Sequence, residues 1–315
     1  MPFDASTLIG GPAIVTLDSA VYYTEDDIEV SVKRTTRDRS VSAFGMLGKT
    51  LLDVVVEIKF RPAQFRNLDK MLPYLGTARG TRIFGNTDKA CVIQSITEGL
   101  KYTWSRCAVT TMPNLNLGVS KQTLLGDMVI TALKANATNL HAANSIVAQA
   151  SQSFSDTSFD PAYIFNAPYI ITYGADPYDA LDSGEGVEVS WDLKLARVET
   201  DQGGLVDMRL DDLGAKASFE VRGLTHAQWL TLQKMQGTGV RRGAFMGPTL
   251  SEDLVIAGLN AGEPKVTLKK AFPDEDTVTR FSATREAPGR MTFTASRRIT
   301  TGAAAEIAVV ETVSA

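Results

Sequence analysis

Apolar residues alternate with polar ones in short, β-branched runs along most of the chain. Ile14-Val-Thr-Leu17, Ile28-Glu-Val-Ser-Val32 and Val54-Val-Val-Glu-Ile-Lys-Phe60 are such runs. Cys91-Val-Ile-Gln-Ser-Ile96, Lys101-Tyr-Thr-Trp104 and Met128-Val-Ile-Thr-Ala-Leu133 continue the series. Further along, the same pattern marks Ile170 to Tyr173, Val187 to Leu193, Ala217 to Val221, Leu254 to Leu259, Lys265 to Leu268 and Met291 to Ala295. Period-two runs separated by turn residues predict strands, and strands at this spacing predict a sandwich or barrel. One stretch in each half changes to a helical period. Phe65, Leu68, Met71 and Leu72 recur at three- and four-residue steps, as do Trp229, Leu232 and Met235. Each set predicts a helix with one apolar stripe. Pro62 is expected in the first helical turn of the first, and Thr225-His-Ala-Gln228 has capping-box form before the second.

The chain also contains itself twice. Ala63-Gln-Phe-Arg-Asn-Leu-Asp-Lys-Met71 reappears as Ala227-Gln-Trp-Leu-Thr-Leu-Gln-Lys-Met235, with Ala, Gln, Leu, Lys and Met in the same places. In the same order, Pro12-Ala-Ile-Val-Thr16 pairs with Pro168-Tyr-Ile-Ile-Thr172, and Ile28-Glu-Val-Ser31 with Val187-Glu-Val-Ser190. Lys101-Tyr-Thr103 pairs with Lys265-Val-Thr267, and Gly126 to Ala132 with Gly289 to Ala295. Such a repeat predicts two β-rich domains, residues 1–137 and 165–315, each with one flanking helix and a long loop or hairpin. An Ala/Asn/Ser-rich linker, residues 138–164, joins them, with a short helix expected around residues 140–150. The tail at Ile307 to Val310 is expected to be a final strand or an arm on a neighbour.

Between the second and third main strands of each copy lies a long polar stretch, where the copies are expected to differ most in length. The first carries Lys33, Arg34, Arg37, Arg39 and Lys49; the second carries Glu199, Asp201, Asp207, Asp211 and Asp212. Opposite charge on equivalent loops of a rigid scaffold points to contacts between subunits or between rings. The formal net charge of −4 argues against a general phosphate-gripping protein. Residues 1–10 lack the basic start and apolar core of a secretion signal, no run is long enough to span a membrane, and folding in a cytoplasm is expected.

Candidate chemistry is sparse. Ala43-Phe-Gly-Met-Leu-Gly-Lys-Thr50 loosely matches a phosphate loop, but charged residues precede it and a β-branched run follows, so a hairpin turn is the expected reading. The two histidines, His141 and His226, lie in different regions and form no evident metal or catalytic set. Asp26-Asp27 and Asp211-Asp212 are adjacent pairs, which on a strand face opposite ways. Gly237-Thr-Gly-Val-Arg-Arg-Gly243 reads as a helix exit. Cys91 and Cys107, the only cysteines, are expected to be buried thiols. No catalytic residue, metal ligand or cofactor site is expected.

The order Ile14-Val-Thr-Leu17, Asp26-Asp-Ile-Glu-Val30, long loop, Val56-Glu-Ile-Lys-Phe-Arg-Pro62, helix, Leu72-Pro-Tyr-Leu75, then Met112-Pro-Asn and a closing strand resembles the major tail tube proteins of long-tailed, non-contractile bacteriophages. The second copy lacks the Pro-Tyr exit and the Met-Pro element. The resemblance implies tube-type β-sandwiches, six per ring, and hence three chains per ring when the domain is duplicated. It implies a virion protein made in a bacterial cytoplasm, and self-assembly into stacked rings. It also implies contacts with tape measure, terminator and distal tail proteins, and viral DNA passing through without specific binding. The competing readings are another tail or baseplate component, a tube of a related secretion machine, a tandem carbohydrate-binding module, and a nucleotide-dependent enzyme.

Overall fold

The computed structural model describes residues 13–41, 45–84, 89–95, 101–118, 124–133, 164–165, 169–174, 176–179, 186–200, 204–220, 227, 230, 232, 251–274, 280–281, 286–287, 290–295 and 308–312. They are mainly β-strand, and every strand pair is antiparallel. In the first half, β1 (Ala13–Leu17) folds back on β2 (Ala20–Tyr23). The turn, Asp18-Ser19, has φ of 49° and 68°. Positive φ at both central residues matches the twist of the flanking strands. β1 also pairs with β5 (Cys91–Ser95), which pairs with β6 (Lys101–Trp104), giving the sheet order β2-β1-β5-β6. A second sheet contains β3 (Glu29–Val41), β4 (Gly45–Phe60), β10 (Met128–Ala132) and β7 (Cys107–Thr111), in the order β3-β4-β10-β7. Alternation sends Cys91, Ile93, Ile58, Phe60, Met128 and Ile130 inward, and the Tyr22 and Phe60 rings meet at 6.0 Å. The two sheets therefore share one apolar core.

The second half repeats this pairing order. β11 (Tyr169–Tyr173), β12 (Asp176–Asp179), β15 (Glu252–Gly258) and β16 (Pro264–Pro273) lie as β12-β11-β15-β16. β13 (Val187–Thr200), β14 (Gly204–Phe219) and β19 (Met291–Ala295) lie as β13-β14-β19. One feature differs. The first half breaks at Ser105-Arg106 into β6 and β7, whereas β16 runs on through Lys270, at φ 49°. Its start pairs with β15 and its end with β19, so the two sheets merge. β8 (Leu115–Leu117) and β9 (Leu124–Leu125), from the first half, extend the merged sheet beyond β13. β20 (Ala308–Thr312) pairs with β16, so the tail forms a final strand in this chain. β17 (Arg280–Phe281) and β18 (Glu286–Ala287) form a separate two-stranded unit.

The helix of the first half is shorter than its apolar period implies. α1 covers only Leu68–Met71, after Asn67 at φ 61° with no side-chain cap. Pro62 is not in a helical turn; it bridges to Thr24. Phe65, Met71 and Leu72 are buried nonetheless, and Leu68 packs on the core. The stripe thus reports burial of an irregular segment, not helix length. Phe65 packs on Phe165, 5.9 Å between ring centres. In the second half Ala227, Leu230 and Leu232 are helical, and Leu230 and Leu232 are buried. Trp229, Met235, the Thr225 and Gln228 of the expected capping box, and the expected linker helix lie outside the described residues.

Candidate functional site

The two polar stretches are not loops. They are the distal parts of two long hairpins, β3–β4 and β13–β14. The expected length difference between the copies does not occur here. In the first hairpin the register slips between Thr35 and Thr36, leaving Leu52 unpaired, and between Arg39 and Ser40, leaving Leu47 unpaired. In the second it slips between Lys194 and Leu195, at Asp211, and between Val198 and Glu199, at Val206. Aligning Glu29 with Glu188 brings both bulges into coincidence, residue for residue. Bulges bend a strand and increase its twist, so two hairpins sharing both bulges share a shape. Gly48, at φ 152°, lies beside the outer bulge of β4, inside a strand. The expected hairpin is formed, with Val41 paired to Gly45, and Gly48-Lys49-Thr50 lies in β4 with no helix after it for a phosphate loop.

The second hairpin is built into the first half of the chain along both of its edges. On one edge, β13 takes β8 through Val187↔Leu117, Glu188↔Asn116 and Val189↔Leu115. Gly186, at φ 72°, closes this contact. A β-carbon there would lie 2.6 Å from Gly118 Cα and 2.7 Å from the Leu117 carbonyl oxygen. The Trp191 indole donates to the Pro113 carbonyl at 3.0 Å. On the other edge, the segment after α1 runs beside β14. Gly80 N–H donates to Leu210 O at 2.8 Å, Leu210 N–H to Thr81 O at 2.9 Å, and Ile83 N–H to Met208 O at 2.9 Å. Phe84 N–H donates to the Asp207 carboxylate at 3.1 Å. Near the hairpin tip, Leu205 N–H donates to Asp53 Oδ2 at 3.1 Å. The Leu205 side chain enters a small core with Phe84, Ala108 and Leu133. Asp53 and Asp207 are each 4% exposed. Buried carboxylates that accept backbone N–H groups fix strand position because those groups have no alternative partner.

The structure separates the predicted contact residues into two groups. Those of the first hairpin lie exposed along β3 and β4. Lys33 pairs with Glu57, Lys49 with Asp38 at 3.6 Å, and Arg39 Nε donates to Thr50 Oγ1 at 2.9 Å. Arg34 and Arg37 are exposed with no ion-pair partner among the described residues. Of the acidic set, Glu199 pairs with its neighbour Arg197 at 2.7 Å, and Asp212 is exposed. Asp211 pairs with Arg79 of the first half at 3.0 Å, and Asp207 is buried against Phe84. These last two hold the chain's own halves together. Asp201 lies outside the described residues. Sequence reading did not single out Asp53, Trp191, Gly186 or residues 79–84. The one available signal was Asp53, a lone carboxylate in the apolar run Leu51 to Val56.

Among the described residues no group of three or more His, Cys, Asp or Glu side chains is placed to hold a metal. Cys91 and Cys107 are buried and unbridged, and the Cys91 thiol is pushed well up by its hydrogen bond with Cys107 and by burial. No helix among the described residues is long and apolar enough to cross a membrane. The sequence matches no family model and no curated protein.

Proposed function

We propose that this chain is a structural subunit that self-assembles, and that its assembly is the tail tube of a long-tailed, non-contractile phage. Three chains, each with two tube-type domains, complete a pseudo-sixfold ring, and rings stack into a hollow conduit for DNA. The observation that carries this reading is the repeated pairing order, each repeat projecting a long hairpin with the same two bulges. A repeated module with a projecting edge suits a closed ring, in which every module meets its neighbour alike and no sheet edge is left bare. Stacked rings joined by heterologous contacts form an open filament. Tape measure, terminator and distal tail proteins are the partners this reading assigns. DNA slides through without specific contacts, which a net negative subunit favours. A carbohydrate-binding module draws no support from Trp104, which is 3% exposed, or from Trp191, which is bonded to Pro113.

Negative-stain electron microscopy of concentrated protein tests the reading. Hollow filaments or threefold rings are expected. A persistent monomer that binds immobilised glycans would replace this reading with the binding module.

A further inference from the structure

The aligned hairpins also differ in cover: the second is packed on the first half of the chain at positions where the first is exposed. At matching positions the second hairpin has Val189, Leu205 and Leu210, at 0%, 2% and 0% exposure. The first has Val30, Met46 and Leu51, at 44%, 57% and 36%. Val32, 43% exposed, stands where Trp191 reaches Pro113. β3 is the edge strand of its sheet and is exposed from Val32 to Ser40. A long edge with apolar side chains is a template for another strand.

The chain also contains the strand to fill it. β8 and β9 form a two-stranded unit just ahead of β10, paired through Asn116↔Leu124. β17 and β18 form the corresponding unit just ahead of β19, paired through Arg280↔Ala287. Gly126 aligns with Gly289, so Ala287 takes the place of Leu124 and Arg280 the place of Asn116. Within the chain, Asn116 lies opposite Glu188, whose counterpart is Glu29. Among the described residues β17 pairs only with β18.

We propose that the outer edge of β3, at Ile28 to Val30, is the docking site for β17 of a second copy of this chain. The contact is antiparallel and head to tail, equivalent to the β8–β13 pairing inside one chain. The register sets Glu29 against Arg280 of the neighbouring copy, a cross-strand pair of opposite charge. The pairing stops at Ile28, because Asp27 stands where Gly186 permits the close approach in the covered hairpin. This deepens the self-assembly reading and rests on it only for closure into a ring.

The test is directional cross-linking of full-length chains. Glu29→Cys and Arg280→Cys proteins are prepared separately, mixed, oxidised mildly and run on a non-reducing gel. A disulfide-linked dimer is expected as the main product of the mixture and at background level in either variant alone. Adding Val30→Asp and Val32→Asp to the Glu29→Cys chain should reduce the mixed dimer at least tenfold while the melting curve stays unchanged. A mixture that yields no more dimer than the single variants overturns the proposal. So does a Glu29→Cys protein that links to itself as readily, because that contact is symmetric. Hollow filaments without the mixed dimer would remove this pairing and leave the tube reading. The mixed dimer without filaments or rings would do the reverse.

Discussion

The β3–β4 and β13–β14 hairpins are the same backbone device in two environments. They share length, both bulges and a Glu at the base of the outer strand, Glu29 and Glu188. What differs is chemistry at matching positions, and it follows the surroundings. The buried Leu205 is matched by exposed Met46, and Asp211, which pairs with Arg79, by exposed Leu52. Asp207, which holds Phe84 N–H, is matched by Gly48. The second hairpin has become part of its own chain's interior. The first keeps a charged strand, Lys33 to Arg39, beside apolar side chains that the chain itself leaves in water. The comparison teaches that polarity alone did not distinguish an intramolecular contact from an unfilled one; the matched positions do.

The sharpest way to break the comparison is to truncate matching leucines. Leu210→Ala should destabilise the chain by about 2–4 kcal/mol, through lost burial and the cavity left behind. Leu51→Ala, over a third exposed in the single chain, should cost less than about 1 kcal/mol under dissociating conditions. Urea unfolding of both variants measures the difference, and equal losses would mean that the first hairpin is covered as well. Next come the buried carboxylates. Asp53→Ala and Asp207→Ala each leave backbone N–H groups without a partner at the junction, at a cost of about 1–3 kcal/mol by the same measurement. Trp191→Phe keeps the ring but loses the bond to Pro113, and should cost about 1 kcal/mol.

The smallest effect expected is on pH dependence. Asp127 in the first half is held below the usual carboxylate range, first by the hydrogen bond from Lys59. Asp274 in the second is held low first by the Thr294 hydroxyl, at 2.7 Å, and then by Lys216. At Asp253, burial pushes the carboxyl up, but Lys270 N–H and Lys269 outweigh it. A carboxylate with a depressed folded pKa adds stability that is present above its ordinary value and is lost as pH falls through the folded one. Urea midpoints should therefore fall on acidification below the ordinary carboxylate range. Asp274→Asn should flatten part of that fall. Each contribution is small because the pairs are partly exposed.

Much of the fold was legible in the chain. Strands were legible at Cys91 to Ser95, Met128 to Ala132 and Met291 to Ala295, and at the first of them the buried positions alternate as a sheet with one buried face requires. Other elements were illegible for physical reasons. β8 and β17 are too short to show a period, and β8 takes its partner from a distant edge, β13. The polar outer parts of β3 and β13 hid long strands, since few of those residues are buried to mark a face. The segment after α1 was invisible as an interface because its bonds to β14 use backbone groups, which every residue has. The charge contrast between the hairpins was visible, but its acidic half proved divided. Asp207 and Asp211 bind the chain's own first half, while Glu199 and Asp212 remain on the surface.

The most direct measurement is amide hydrogen exchange, followed residue by residue in β3 and β13 of the full chain at low and high protein concentration. The account predicts that Val187 to Val189 are protected at both, because β8 covers them within the chain. Residues 28–30 should exchange faster than their counterparts in dilute protein and become equally protected when the chain assembles. Equal protection in the two strands before assembly, or an edge of β3 that stays open in assembled protein, would contradict it.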